Sequence, residues 1–492
     1  MPTAEVLYAE NLTLRQENAD LRRQLEWFQR KTYAGGQGES LDKLQRLLEL
    51  EGIEQTKAIE RVVEKISYER AKPGKRVLPA DNFAKLAVKE TVVIEPEEVK
   101  NNPEAYEKIG EERTFEVDIV APQMFKREIV RPKYRLRENK QEAPVVAPAP
   151  ARVMNGGYAS AGLIAWVLIS KYLHHLPLAR QEKMSSNWGA RISRQTMVDY
   201  VRVGAEWLEP VYKLMLASLL AGKYLQADET PVPCQDPDDP SGKTFQGYLW
   251  VVSRPGADVV FVWRNSRRHA ELPSVIGDKF RGVLHSDAYE AYAQYAENHK
   301  DVHWLACFVH ARRKWVDALH NGPSQEARVM LKLFGNLYRL ENEWDQAGLG
   351  DDERAQRRQK DFARTLKWMH ALALKVRQNA LPKSPLGLAS GYLLRQWDAL
   401  SAHTQYGFTK LDTNLVENAL RPTCLGKKNF LFVGHPDAGQ RSAIVYSIIA
   451  SCVRHGKDPL AYMRDILTRL PSLKNSDDLT SLLPSRWQPS PR

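Results

Sequence analysis

"KYLQADETPVPC", residues 223–234, is the stretch on which the fold turns. An apolar, strand-like run from Tyr224 to Ala227 ends in two acids, Asp228 and Glu229, and Thr230-Pro231 reads as a turn directly after them. A single acid at a strand tip can be a turn residue. A catalytic carboxylate needs partners, so the reading depends on what surrounds these two.

Working outward, "GYLWVVSR" (247–254) and "ADVVFVWRN" (257–265) are two further short β-like runs. A helix is expected in "HAELPSVIG" (269–277). "GVLHSDAYEAY" (282–292) begins as a fourth strand and becomes a helix, and "VHWLACFVHARRKW" (302–315) contains a fifth strand. The order βββαβαβ is that of the ribonuclease H-like fold, a meander extended by parallel strands. There the first and fourth strands are parallel neighbours. Asp228 and Asp287 would then sit side by side at the carboxyl edge of the sheet, where open α/β sheets place their ligands. Adjacent carboxylates repel unless a cation lies between them. Oxygen ligands suit Mg²⁺ or Mn²⁺, and two such ions roughly 4 Å apart can clamp both sides of a phosphodiester.

A two-metal site calls for a third carboxylate. Glu417, in "LDTNLVENALRPTCLGKKNFLF" (411–432), is one candidate, in a short helix beyond an insertion at about 313–410. Glu229, Glu290 and Asp412 are rivals on the same grounds. Each acid also has a local reading. Asp228 fits a turn before Thr-Pro, Asp287 an N-cap for the following helix, and Glu417 a capping-box partner of Asn414.

The whole chain limits the function class. Its 492 residues, 43% hydrophobic and 27% charged, suit a multidomain globular protein. A formal charge of +11 points to a polyanionic partner, with nucleic acid the commonest. Four cysteines without a CxxC pair exclude a disulfide scaffold. "AGLIAWVLIS" (161–170) is too short for a bilayer span, and the first residues lack a signal-peptide pattern. A cytoplasmic, nucleoid-associated protein with no membrane contact is expected.

Upstream, Leu7, Leu14, Leu21 and Phe28 fall on one heptad position and Ala4, Asn11, Asn18 and Leu25 on another. This reads as a coiled coil over 1–33, with Asn at a favouring an in-register homodimer or higher assembly. A charged helix and basic linker follow over 34–84. Residues 85–139 look β-rich, and the Pro/Ala-rich 140–157 reads as a linker. Residues 158–220 are helical. Gly189 would turn the chain between "LARQEKMSSNW" (178–188) and a helix capped by Ser193, which resembles a helix-turn-helix. Arg194, Gln195 and Thr196 would then open the second helix, where base edges are reached; an ordinary helical hairpin fits as well. The catalytic domain is assigned to 221–435 and a C-terminal helical region to 436–492.

Many short motifs occur together: "VVIEPEE", "VRPKYR", "SKYLHHLPLARQE", "ISRQTMVDYV", "ADETPV", "HSDAYEAY", "CFVHARRKW", "NLVENALRP", "KKNFLFVG" and "DPLAYMRDIL". In number and order they resemble the insertion-sequence-66 family of bacterial transposases, along nearly the whole chain. The resemblance implies a DDE transposase with a ribonuclease H-like core. Carried over by position, the triad is Asp228, Asp287 and Glu417, and this selects Glu417 over its rivals. Each triad member would be a ligand of the two ions. The implied reaction is hydrolysis at the element end, then attack of the freed 3′-hydroxyl on target DNA. Accessory proteins of the same element are implied on the same basis.

The chain also departs from the family. Relatives carry a cysteine-based zinc-finger-like region after the coil, whereas "IVRPKYRLRENKQ" (129–141) has no cysteine, so the 85–139 region is degenerate and no zinc is expected. Cys307 and His310 form a CxxH after the fifth strand with no second pair nearby. By resemblance they support the active site; packing is the plainer reading. Arg312, Arg313 and Lys314, and more weakly Lys427 and Lys428, would hold DNA phosphates. The acidic loop "QDPDDPSGK" (235–243) reads as a hairpin connection, and the mixed-charge run 350–364 as a solvated helix. Two other function classes fit the same features. One is a nuclease or resolvase that cuts without joining. The other is an inactive DNA-binding regulator.

Overall fold

A computed structural model of the chain describes residues 156–489, apart from 241 and 475, with short stretches between 100 and 154. The expected coil over 1–33, the charged segment 34–84 and most of 85–139 lie outside the described residues.

Between residue 156 and the sheet lie three helices: α1 (Ala161–Tyr172), α2 (Leu178–Asn187) and α3 (Arg194–Leu220). Ser160 caps α1 by accepting from Leu163 N, and Ser193 caps α3 by accepting from Thr196 N. Gly189 turns between α2 and α3 at a φ of 80°, where a residue with a Cβ would be strained. Within the expected Pro/Ala linker, Val145–Val146 pairs antiparallel with Lys133–Tyr134, and the Val153 carbonyl accepts from the Trp207 indole of α3.

The sheet follows as β1 (Tyr224–Cys234), β2 (Phe245–Ser253), β3 (Val260–Arg264), β4 (Gly282–Ser286) and β5 (Val302–Ala306). Its spatial order is β3-β2-β1-β4-β5. The first three strands form an antiparallel meander, and β4 and β5 add in parallel. Between β3 and β4 lies α4 (Leu272–Ile276), and between β4 and β5 lies α5 (Glu290–Asn298). Gly282 opens β4 at a φ of 128°. A Cβ there would sit 2.3 Å from the Lys223 carbonyl oxygen, so only glycine lets β4 close on β1.

One expectation is overturned at β1. Thr230-Pro231 is not a turn, because the strand runs on to Cys234 in unbroken register with β2. Proline is tolerated because the Pro231 and Pro233 carbonyls point away from β2. They accept from Lys427 Nζ and Val433 N, so the missing N–H groups fall on the side with no β2 ladder to complete.

Beyond β5 a helical block comprises α6 (Phe308–His320), α7 (Gln325–Gln346), α8 (Asp351–Asn379), α9 (Pro385–Arg395) and α10 (Trp397–Ser401). It has its own core, including Trp315, Phe334, Phe362 and Met369. The mixed-charge run at the start of α8 is not simply solvated, since Arg354 and Arg358 are buried against Glu341 of α7. The chain then returns to the sheet as α11 (Asn414–Phe430), a 17-residue helix rather than a short one.

α12 (Pro436–Arg454) and α13 (Pro459–Arg469) complete the fold. Their apolar faces share one core with α1, α3 and the sheet. No helix among the described residues is long and apolar enough to cross a membrane.

Candidate active site

Register brings the two aspartates together. The parallel ladder between β1 and β4 pairs Gln226 with His285. Asp228 and Asp287 each lie two residues further on, so they share a face and sit on chains about 5 Å apart. Burial, reinforced by the charges on Glu229, Asp287 and Glu417, pushes the Asp228 carboxyl up to about 8. Asp287 Oδ1 accepts from Tyr289 N at 3.0 Å, which makes it a turn acid just ahead of α5 rather than the helix cap.

Alternation along β1 sends Glu229 to the opposite face. There its carboxylate accepts from Tyr292 OH of α5 at 2.6 Å and pairs with Arg267 at 3.0 Å. Burial, opposed by the Tyr292 hydrogen bond, pushes Glu229 up to about 7. Glu290 is exposed in the first turn of α5. Asp412 lies closer, and burial raises its carboxyl, but its Oδ1 accepts from Asn414 N at 3.1 Å.

Glu417 reaches the Asp228 face through a chain of buried bonds. Gln226 donates to the Asp412 carbonyl at 2.8 Å, and the Cys307 sulfur accepts from Thr413 N at 3.4 Å. Thr413 is the cap of α11 and Glu417 lies in its first turn. The Glu417 side chain faces His310 Nε2 at 3.6 Å and Arg313 at 3.5 Å, both beyond hydrogen-bonding distance. Its buried Oε1 and the buried His310 Nδ1 have no hydrogen-bond partner. Burial lowers the His310 pKa against the opposing charges of Glu417 and Asp287, while burial raises the Cys307 thiol to about 11. One ligand atom each of Cys307, His310 and Glu417 lies within 4.8 Å of the others. A thiol held protonated is a poor cation ligand, and it is already engaged with Thr413 N.

Residues 156–441 match the Transposase IS66 family, and residues 447–485 match the IS66 C-terminal element. The chain belongs to the IS66 transposase family. Similar proteins include the uncharacterized protein y4jD of Sinorhizobium fredii (strain NBRC 101917 / NGR234), 31% identical over 398 residues, which are 78% of this chain and 77% of y4jD. The uncharacterized protein y4qI of the same strain is 31% identical over 436 residues, covering 85% of this chain and 79% of y4qI.

Against this IS66 background the candidate DNA contacts fall in three places. Arg194 and Gln195 are exposed at the start of α3, although Arg194 is tied to Glu182 of α2 at 3.7 Å. The Thr196 hydroxyl is used in the Ser193 cap at 2.8 Å. On α6, Arg313 turns toward Glu417, and Lys314 lies 5.9 Å over the Tyr392 ring. Arg312 is half-buried beside them. Lys427 donates to the Pro231 carbonyl at 3.0 Å, and Lys428 is exposed. Sequence reasoning missed Arg267 and Tyr292. Their signal would have been the period of two along β1, which requires a partner for Glu229 on the far face.

Proposed function

We propose that this chain is a DDE transposase with a ribonuclease H-like core, cutting the end of its element and joining it to target DNA. Asp228, Asp287 and Glu417 are its catalytic carboxylates. The observation that carries the proposal is the register. Two aspartates stand two residues beyond the last parallel pair, and a third acid is delivered to the same face.

The donors fit divalent cations. They are hard oxygens that repel one another when bare, and one buried carboxylate oxygen of Glu417 lacks a hydrogen-bond partner. When bound, Mg²⁺ or Mn²⁺ supplies nucleophile activation and charge stabilisation for in-line phosphoryl displacement. Asp228 feels the charges of both other acids and, with them, would hold the metal. His310 orients Glu417, and the Arg313 guanidinium offsets its charge. Cys307 positions the start of α11. Arg194, Gln195 and Thr196, with Arg312, Lys314, Lys427 and Lys428, bind DNA on this reading. The N-terminal coil pairs protomers so that two element ends are held together, and accessory proteins of the element assist.

The test is a cleavage and joining assay with the element's own end, a target duplex and Mg²⁺ or Mn²⁺. Wild type should join strands, whereas Asp228→Asn, Asp287→Asn and Glu417→Gln should bind DNA and lose chemistry by at least about 10³-fold. Cleavage without joining would replace the proposal with a nuclease. Activity that survived Glu417→Gln would remove Glu417 from the triad.

A further inference from the structure

At the far end of α11, Leu431 adopts φ 68° and ψ −50°. Phe432 N donates to the Phe430 carbonyl at 2.9 Å, closing a γ-turn with Leu431 at its centre. This turn is rare and strained for any residue with a Cβ. Burial does not compensate it, because Leu431 is 68% exposed and Phe432 beside it is 41% exposed. The backbone is nevertheless pinned on both sides. Leu431 N donates to the Lys427 carbonyl, Val433 N to the Pro233 carbonyl and Gln235 N to the Val433 carbonyl, each at 2.8 Å. A branched apolar side chain is thus held rigidly out into solvent at a backbone cost that glycine would avoid. Strain maintained in this way points to a partner.

The surroundings identify the partner's chemistry. Leu431 borders a cleft of about 280 Å³ lined also by Pro231, Pro233, Gln246, Lys427 and Lys428. Two cations beside an apolar tip suit a base step flanked by its phosphates. Pro231 and Pro233 lie roughly 10 and 17 Å along β1 from Asp228, at about 3.3 Å per residue. With DNA rising about 3.4 Å per base, the tip falls roughly three to five steps from the carboxylates.

We infer that Leu431, backed by Phe432, is a wedge that enters the element-end DNA between two base pairs near the cleaved bond and unstacks them. Lys427 and Lys428 hold the adjoining phosphates. Apolar wedges of this kind kink a duplex at the cost of stacking. The inference rests on the transposase proposal and names how that site deforms its substrate.

The experiment uses the full chain and duplexes carrying the element's own end, with 2-aminopurine placed singly at successive positions around the cleaved bond. Wild type should raise fluorescence several-fold at one step. Leu431→Ala and Leu431→Gly should return that signal to the free-DNA level on a duplex that is still bound, and should slow cleavage several-fold. Leu431→Phe should retain the signal. A mismatch built into that step should restore cleavage to Leu431→Ala, which a merely structural role would not allow. A bound and cleaved duplex with no fluorescent step, or a signal indifferent to Leu431→Gly, overturns the wedge and leaves the transposase proposal standing. Failure to bind DNA at all overturns both. Self-association that depends on Leu431 in the absence of DNA assigns the tip to a second copy of the chain and overturns the inference.

Discussion

At Asp228, burial and three neighbouring acids act in one direction. The group binds its proton far more tightly in the folded chain than an ordinary carboxylate near 3.9 does. A raised acid favours the folded state fully below the unfolded value, and that contribution is lost as pH rises through about 8. Glu229, raised to about 7, adds to the loss with the same sign. Metal-free protein should therefore melt lower at pH 8 than Asp228→Asn does, by at least about 2–4 °C, the shift 1 kcal/mol gives in a sizeable domain. At pH 5 the gap should be much smaller, and it should close only below about pH 4. Mg²⁺ should raise the wild-type melting temperature more at pH 8 than at pH 6, where protons compete for the same oxygens, and should leave Asp228→Asn unmoved. Scanning fluorimetry at these pH values is the check, and an Mg²⁺ shift independent of pH would refute the account. The two aspartates were legible in the sequence because each ends an apolar run of strand length. The opposite orientation of Glu229 was legible too, but only once the supposed Thr-Pro turn is replaced by a continuous strand.

Among the elements, the return of the chain from α10 to α11 decides where Glu417 lies, and no periodicity announces it. Arg358 of α8 donates to Glu341 at 2.6 and 3.0 Å. It also donates to the carbonyls of His403, Tyr406 and Thr409. The same segment meets the sheet where the His403 ring bonds the Ala306 carbonyl at 3.0 Å and Lys410 N donates to Tyr224 OH at 3.3 Å. Burial takes the His403 pKa down to about 3, so the ring stays neutral across the physiological range. In sequence Arg358 is one cation in a mixed-charge run, and only tertiary structure distinguishes it from a solvated one. Glu417 was thus reached through family resemblance, with more than a hundred residues separating it from Asp287. Among the described residues, removing Arg358 leaves Glu341 with only Arg354 for a partner in a buried site, a loss of about 3–5 kcal/mol where such pairs are broken. Arg358→Met should lower the melting temperature, speed amide exchange over 403–413 and weaken Mg²⁺ binding without touching a ligand. Exchange at 403–413 equal to wild type would show that the return segment is held by other means.

For the molecule as a whole, the sequence assigns a C-terminal helical region to 436–492, and the helices of that region pack into the shared core. Ile444, Ile448 and Cys452 of α12 are buried with the sheet and with α1 and α3. The same helix closes the β3 edge. Phe261 N and Val259 N donate to the hydroxyls of Ser447 and Ser451, each at 2.8 Å. Four helical residues rise about 6 Å and two strand residues about 6.6 Å, so serines at i and i+4 match alternate outward N–H groups of the strand. An uncovered edge of this kind pairs with other chains. Truncation after residue 435 should therefore remove both an apolar face and the edge cover, and the product should aggregate rather than fold as a smaller enzyme. Ser451→Ala isolates the second effect, because it leaves Val259 N buried without an acceptor at a cost of about 1–3 kcal/mol. It should lower the melting temperature by several degrees while leaving metal response and DNA cleavage unchanged at low temperature. A soluble, cooperatively melting 1–435 fragment would mean that the C-terminal helices are an appended domain and that the β3 edge is protected by some other part of the chain.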